Sequence, residues 1–349
     1  MKIISLEQAR ELGLKDLYVF RHGGWGDVVM LGAAARAAVI QKNKPVLICC
    51  MPHKYGMLYG VDEGLSHPIY VLDGFWRGIL STNSKRKLAR YGIKVHYTRY
   101  KMGVERRLGL LELTAAGFGL SGKVNVTPHI GPSLQSRAEV ISISDKPQIA
   151  IMSGGNPLKA TPVYILEQII KKHSGKYNFV QIGTPADPLL AGAFDMRGKL
   201  SLTKDVPAEI AASELFIGSE GGLYHIARAV GTRSVVSDIF PGGFTAWNGT
   251  YHAFPREMIH NVKEYAGATV YDINTLVPDD MLGLVDLALS ESGMPIPDDI
   301  LDITGIEPIF VRVSYKPILL FVIKYLHALI SGDRKKIQTA KLDLWYQIP

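Results

Sequence analysis

The stretch "RHGGWGDVVMLGAAARAA", residues 21–38, decides the fold class of this chain. It follows the apolar run "LYVF" (17–20) and continues into small helix-forming residues, an order that predicts a strand, a tight turn and a helix. Glycine lets a backbone approach a ligand closely, and three glycines precede the helix: Gly23, Gly24 and Gly26. Asp27 stands where the helix starts, so it is either an ordinary helix N-cap or a carboxylate that serves a ligand.

This glycine loop does not match the common nucleotide-binding motifs. Gly24 and Gly26 are spaced as in the dinucleotide fingerprint, but Val29 occupies the third glycine position. No Lys-Ser or Lys-Thr pair follows the loop, as a P-loop requires. The sequence therefore disfavours nicotinamide and ATP chemistry.

The same alternation of short apolar strands and helices runs through the chain twice. The looser segment 124–147 is typical of a linker, and "QIAIMSGG" (148–155) starts the second α/β half. Beyond about residue 275 the pattern becomes helical and includes the apolar stretch 317–330. The predicted organisation is an N-terminal domain (1–145), a C-terminal domain (146–300) and a helical segment that packs back on the first domain (301–349).

Composition sets the class of protein. A chain of 349 residues with 47% hydrophobic residues fills the cores of two domains. The adjacent Cys49 and Cys50 lie in an apolar run, which argues against a disulfide framework or a zinc site and favours a reducing cytoplasm. We expect no signal peptide and no membrane span, because Lys324 interrupts 317–330 and that stretch is too short.

The positive charge is concentrated in one basic patch, residues 85–107. The patch holds nine Lys or Arg against one acid, whereas the rest of the chain sums to −1. It is either a solvated helix face or a docking surface for an anionic partner, and the interleaved Tyr91, Tyr97 and Tyr100 favour docking. The candidate acceptor-binding residues are Lys85, Arg86, Lys87, Arg90, Arg99, Lys101, Arg106 and Arg107.

Two loops of the second half end strands and precede helices, where open α/β sheets bind ligands. In "MSGGNPLKATP" (152–162), Lys159 is either a phosphate-binding lysine or a surface lysine, and Thr161-Pro162 predicts an N-cap and N1 pair. In "IGSEGGLYHIARAVGT" (217–232), Gly221 and Gly222 leave the backbone N–H groups open to an anion. His225 either faces that anion or is an ordinary packing histidine.

Together these loops resemble the family 9 glycosyltransferases, the bacterial heptosyltransferases of the GT-B type. The similar segments are "GWGDVVMLGAAARA", "NPLKATPVYILEQI", "QIGTPAD" and "EGGLYHIARAVGTRSVVSDIF", and they cover about residues 17–240. Where that family has Asp followed by Ser or Thr, this chain has Glu220 and Gly221, which keeps a carboxylate and loses a hydroxyl. The implied fold is α/β, with two Rossmann-like domains that face a central cleft.

The resemblance implies an inverting glycosyltransferase in which Asp27 acts as, or beside, the general base. Glycosyl transfer needs a deprotonated acceptor hydroxyl and a stabilised diphosphate leaving group. The candidate donor-binding residues are Lys159, Gly183, Glu220, Gly221, Gly222 and His225. No metal and no cofactor are expected, because helix N–H groups and a lysine would replace the cation, and the nucleotide sugar serves as co-substrate.

The acceptor stays open at this stage. A phosphorylated lipopolysaccharide core is what the family implies, and 317–330 would then rest on the inner membrane surface or pack on the first domain. The basic patch also fits DNA that carries a hydroxyl-bearing modified base. A third hypothesis is a non-catalytic nucleotide-binding or scaffold protein on the same fold. The sugar, the nucleotide and the oligomeric state do not follow from the sequence.

Overall fold

The computed structural model describes residues 1–20, 24–73, 82–98, 110–132, 137–155, 160–238, 247–253 and 280–306. Several predictions concern residues outside these ranges: Gly23, Arg99, Lys101, Arg106, Arg107, Lys159 and the apolar stretch 317–330. Lys85 is described by its backbone alone.

The first half is built on a five-stranded parallel sheet with the strand order β1-β4-β3-β2-β5. Its elements in chain order are β1 (Lys2–Ile4), α1 (Leu6–Glu11), β2 (Asp16–Phe20), α2 (Trp25–Lys42), β3 (Val46–Cys49), the 3-10 helix η1 (Pro52–Leu58), β4 (Ile69–Leu72), α3 (Thr82–Arg90), β5 (Lys94–Thr98) and α4 (Leu110–Gly117). Every residue of β3 and β4 is buried, as expected for parallel strands covered on both faces.

The second half repeats this architecture with a six-stranded parallel sheet of order β12-β11-β10-β7-β8-β9. Its elements are β7 (Gln148–Ile151), α5 (Val163–His173), β8 (Asn178–Gln181), β9 (Phe194–Asp195), α6 (Asp205–Ala211), β10 (Leu215–Ser219), α7 (Gly222–Ala229), β11 (Ser234–Ser237), β12 (Thr250–Ala253) and α8 (Met281–Ser290). The prediction of an α/β fold with two parallel sheets is confirmed.

A two-stranded antiparallel ribbon joins the last strand of the first half to the last strand of the described chain. It pairs β6 (Lys123–Asn125) with β13 (Ile300–Asp302). The expectation of a helical segment from residue 301 is therefore wrong for residues 301 and 302, because both pair with β6. Asp299 leads into β13 as a buried carboxylate, and it forms an ion pair of 2.7 Å with Arg228 of α7.

Helix α2 packs against both halves of the chain. It lies against β2, β3 and η1 of the first half and against α7 of the second. Twelve of its 18 residues are buried, which is the pattern of a helix enclosed on most sides. Small residues such as Ala33, Ala34 and Ala37 allow this close packing. Consequently the N-terminal turn of α2 is brought to the N-terminal turn of α7.

Candidate functional site

The two glycine loops that the sequence singles out meet in the structure. An ideal Cβ on Gly26 would lie 2.2 Å from Cδ2 of His225, and one on Gly222 would lie 2.8 Å from Cβ of Trp25. Both distances are shorter than real side chains allow, so only glycine fits at either position. We call this meeting point of residues 25–27 and 222–225 the helix junction.

This contact gives two of the glycines a packing role. Gly26 and Gly222 are predicted from the sequence to let a ligand approach the backbone, and in the structure both allow the close approach of two helices. Among the described residues Gly221 has no such neighbour, because the nearest atom to its ideal Cβ is the Ser219 carbonyl oxygen at 4.0 Å. Gly221 is the N-cap residue of α7.

Asp27 occupies the third position of α2, and the N-cap is Gly24. Its carboxylate oxygen Oδ2 accepts a hydrogen bond of 2.6 Å from the Gly24 backbone N–H. This bond anchors the side chain, and a carboxylate in the first turn also interacts favourably with the positive end of the helix dipole. Among the described residues no hydrogen bond engages Oδ1. Asp27 is thus a capping group through Oδ2, and within the described ranges its Oδ1 has no hydrogen bond.

Glu220, His225 and Trp247 form a connected group beside the helix junction. The Trp247 indole N–H donates to Nδ1 of His225 at 2.9 Å, and both side chains are buried. An indole is a donor only, so Nδ1 is the unprotonated nitrogen and Nε2 carries the hydrogen. Nε2 lies 3.8 Å from Oε1 of Glu220. His225 is 4% exposed, so it is enclosed at the junction, with Nε2 near the Glu220 carboxylate.

Hydroxyl groups tie together the strand ends of the second sheet. Thr161 donates to the Gly218 carbonyl oxygen at 3.0 Å and lies 2.7 Å from the Ser237 hydroxyl. Ser219 donates to the Gly154 carbonyl oxygen at 3.1 Å. The prediction that Thr161 caps the next helix is wrong, because α5 begins at residue 163 and its N-cap is Pro162. These hydrogen bonds connect the ends of β7, β10 and β11 to one another.

Gly183 lies against an acidic turn on the same side of the second sheet. Ideal Cβ atoms on Gly154 and Gly183 would lie 2.0 Å and 2.3 Å from the Asp187 carboxyl group. That carboxylate accepts hydrogen bonds from the backbone N–H and the hydroxyl of Thr184, both at 2.8 Å. Gly183 therefore leaves room for the Asp187 carboxylate in the turn after β8.

The described part of the basic patch is exposed on α3. Arg86, Lys87 and Arg90 are all exposed. Tyr91 has partners within the protein, because its hydroxyl donates to Glu7 at 2.9 Å and the Arg10 guanidinium lies 5.9 Å above its ring. The patch therefore presents cations, while its first tyrosine is tied to α1.

Sequence reasoning missed Trp247, Trp25 and Lys54. Trp247 follows β11 and reaches His225 from a different segment. Trp25 packs on Gly222, and its ring faces Nζ of Lys54 at 5.0 Å. No local pattern marks these residues, because their partners lie far away along the chain.

Two further findings bear on the site. Among the described residues, no group of three or more His, Cys, Asp or Glu side chains is arranged to hold a metal ion. In the same part of the chain, none of the helices combines the length and the apolar character needed to traverse a bilayer.

Comparison with solved structures identifies the fold. The chain is similar to a family 9 glycosyl transferase from Veillonella parvula, with a TM-score of 0.54, 13% identity, and coverage of 80% of this chain and 98% of the other. It is also similar to the dodecameric, iron-containing glycosyltransferase TibC of enterotoxigenic E. coli, with a TM-score of 0.54, 14% identity, and coverage of 80% and 76%. E. coli ADP-heptose lps heptosyltransferase II gives a TM-score of 0.52, 14% identity, and coverage of 79% and 99%.

These likenesses show that the chain has the GT-B fold of the family 9 glycosyltransferases, as the sequence motifs predict. By sequence, no protein-family model and no curated protein matches the chain.

Proposed function

We propose that this protein is a glycosyltransferase that moves a sugar from a nucleotide diphosphate to a hydroxyl group of an anionic acceptor. One observation carries the proposal: the N-terminal turns of α2 and α7 converge, so the anchored Asp27 of the first half stands beside the group of Glu220 and His225 in the second. The shared fold supports it, because three solved structures with this fold are described as glycosyltransferases.

Asp27 is the proposed general base. Oδ2 is held by the Gly24 N–H, so Oδ1 is the oxygen that takes the proton of the acceptor hydroxyl. As the O–H bond breaks, the acceptor oxygen bonds to the anomeric carbon of the donor sugar. The bond from that carbon to the diphosphate oxygen breaks at the same time, and the nucleoside diphosphate leaves. A single displacement of this kind inverts the anomeric centre.

The second half is proposed to hold the donor. The start of α7 presents the N–H of Gly221 and the positive end of a helix dipole, which stabilise the negative charge that develops on the leaving diphosphate. Lys159 is proposed to add a cation there. Glu220 is an acceptor that would repel a phosphate, so we assign it to a hydroxyl group of the donor, with Nε2 of His225 3.8 Å from its carboxylate.

The acceptor is proposed to be anionic because exposed cations lie along α3. A lipopolysaccharide core is the first candidate, since one structural neighbour is described as an ADP-heptose lps heptosyltransferase. DNA with a hydroxyl-bearing base is the second, because the same patch fits a phosphate backbone. Peripheral contact with the inner membrane surface and independence of metal ions belong to the same proposal.

The test has two stages. A thermal-shift screen with ADP, UDP, GDP and their sugars, with and without EDTA, identifies the donor, because a ligand that binds only the native state raises its apparent stability. Labelled donor is then incubated with lipopolysaccharide core or with hydroxymethylated DNA. Transfer into one of them supports the proposal and names the acceptor. Nucleotide binding without transfer to any acceptor supports the scaffold hypothesis instead.

Lys159 is tested in the same assay. We expect Lys159→Ala to weaken nucleoside diphosphate binding, with Lys171→Ala as the control because Lys171 is exposed at the far end of α5. Unchanged affinity in Lys159→Ala removes this residue from the site.

A further inference from the structure

Lys54 is a buried cation at the ligand-binding edge of the first sheet. It lies in η1, directly after β3, whose neighbour β2 leads into Asp27. Ligands of open α/β sheets bind beyond the carboxyl ends of such strands. Only 5% of the residue is exposed, which is unusual for a lysine without a carboxylate partner.

The charge of Asp27 acts on the Lys54 ammonium, but the two groups form no ion pair in the part of the chain that the structure describes. Among the residues that the structure describes, none forms a hydrogen bond or an ion pair with Nζ. The nitrogen lies 5.0 Å from the centre of the Trp25 ring, and the His53 ring meets Trp25 edge-on at 5.7 Å.

Burial of the Lys54 ammonium costs free energy unless an anion binds to it. Burial lowers the pKa of Lys54, and the charge of Asp27 only partly opposes that effect. A buried ammonium loses hydration that a cation–π contact replaces incompletely. The position of Lys54 over Trp25 therefore orients a cation for an anionic group that comes from outside the protein.

The place of Lys54 indicates which anion. Gly56 of η1 packs on Thr203 of the second half, with only 2.3 Å from its ideal Cβ to the Thr203 Cβ. Trp25, under the ammonium, packs on Gly222 at the start of α7. Lys54 thus lies where the two halves of the chain are in contact, which we call the seam. The N-terminal turns of α2 and α7 add positive potential there. The Lys54 ammonium and the two helix N-termini supply positive potential for an anionic group, against the negative charges of Asp27 and Glu220 beside them.

We propose that Lys54 binds the diphosphate of the donor from the first-half side of the seam, opposite α7. The assignment rests on the proposed function for the source of the diphosphate. In this arrangement both halves of the protein supply positive charge to the leaving diphosphate. The acceptor side of the first half would keep the exposed cations of α3.

Calorimetric titration with ADP and with inorganic pyrophosphate tests the proposal on Lys54→Met, Lys54→Arg and Lys42→Met. The Lys42 ammonium also lies over an aromatic ring, 5.5 Å from that of Tyr18, but it donates to the Tyr18 hydroxyl and the Phe118 carbonyl oxygen. Lys42→Met is therefore the matched control for loss of a partly buried lysine. We expect Lys54→Met to weaken both ligands about tenfold to a hundredfold, Lys54→Arg to retain most of the affinity, and Lys42→Met to leave it unchanged.

Thermal unfolding without ligand supplies a second readout. Replacing an unpartnered buried charge by an apolar side chain of similar shape is neutral or stabilising, so Lys54→Met should not lower the melting temperature, whereas Lys42→Met should. A Lys54→Met protein that melts lower and binds pyrophosphate normally makes the lysine a structural support of Trp25 and overturns the inference.

The outcomes separate this inference from the proposed function. If wild-type protein transfers sugar and Lys54→Met binds ADP and pyrophosphate normally, the inference alone is wrong. If pyrophosphate binding depends on Lys54 and no acceptor is glycosylated, the anion site stands and the proposed function falls. If wild-type protein binds no nucleoside diphosphate and no pyrophosphate, both fall.

Discussion

The replacement Asp27→Asn separates the two roles that the structure gives to this carboxylate. An asparagine carbonyl oxygen can still accept the hydrogen bond that Gly24 donates to Oδ2, so the cap is kept. The loss is the negative charge in the first turn of α2, which costs about 0.3–1 kcal/mol of stability. A general base contributes about 10²–10⁴-fold to a rate, or about 2.7–5.4 kcal/mol of activation free energy. The effect on turnover therefore exceeds the effect on folding several-fold.

The assay compares kcat for sugar transfer, donor affinity and the urea midpoint of unfolding. We expect Asp27→Asn to lower kcat at least a hundredfold, with near-normal donor affinity and a midpoint close to that of wild type. Asp280→Asn is the matched control, because Asp280 caps α8 through Leu282 N–H at 3.1 Å. That control should retain full turnover. Normal turnover in Asp27→Asn would refute the assignment of the base, and equal losses in both variants would reduce Asp27 to a capping residue.

Three further predictions concern the helix junction and the buried carboxylate of α6. Gly26→Ala should cost about 1–3 kcal/mol in urea unfolding because its Cβ meets His225, whereas Gly175→Ala, with no atom within 4 Å, should cost nothing; equal midpoints would contradict the contact. Trp247→Phe should shift the ¹⁵N resonance of His225 Nδ1 and cost about 1–3 kcal/mol, since Nδ1 loses its donor; an unmoved resonance would exclude that bond. Burial raises the pKa of the Glu209 carboxyl group. The stabilisation that this side chain contributes below pH 4.5 should therefore be lost as the pH rises through the raised pKa. The stability difference between wild type and Glu209→Gln should then shrink as the pH increases, and a constant difference would refute the raised pKa.

The elements of the first half show how far local pattern reaches. The runs "LYVF", "PVLICC", "HPIYVL" and "IKVHYT" correspond to β2, β3, β4 and β5. β3 and β4 are buried throughout, as continuous apolar runs in a parallel sheet are, whereas β5 is an edge strand. The start of α2 was predictable too, since glycines and an acidic residue in the first turn mark a helix N-terminus. The position of Asp27 at the third residue, rather than at the N-cap, was decided by the backbone N–H of Gly24.

Thr161 and Tyr91 show where local pattern misleads. Thr161 precedes a proline, which predicts a helix cap. In the structure its hydroxyl instead forms hydrogen bonds with the ends of two strands. Tyr91 lies among cations, which favours docking of an anionic partner, but its hydroxyl donates to Glu7 of α1. In both cases a hydrogen-bond partner from another element decides the role of the side chain.

What the sequence determined by itself is the order of strands and helices, the acidic residue at the start of α2 and the concentration of basic charge in 85–107, since each depends on residues close together in the chain. What only the tertiary structure decided is the helix junction, the donor that Trp247 supplies to His225 and the burial of Lys54 over Trp25. The physical reason is that parallel sheets bring strand ends together from distant segments. The partners at those ends are then selected by packing and hydrogen bonding, which leave no periodic trace in the sequence.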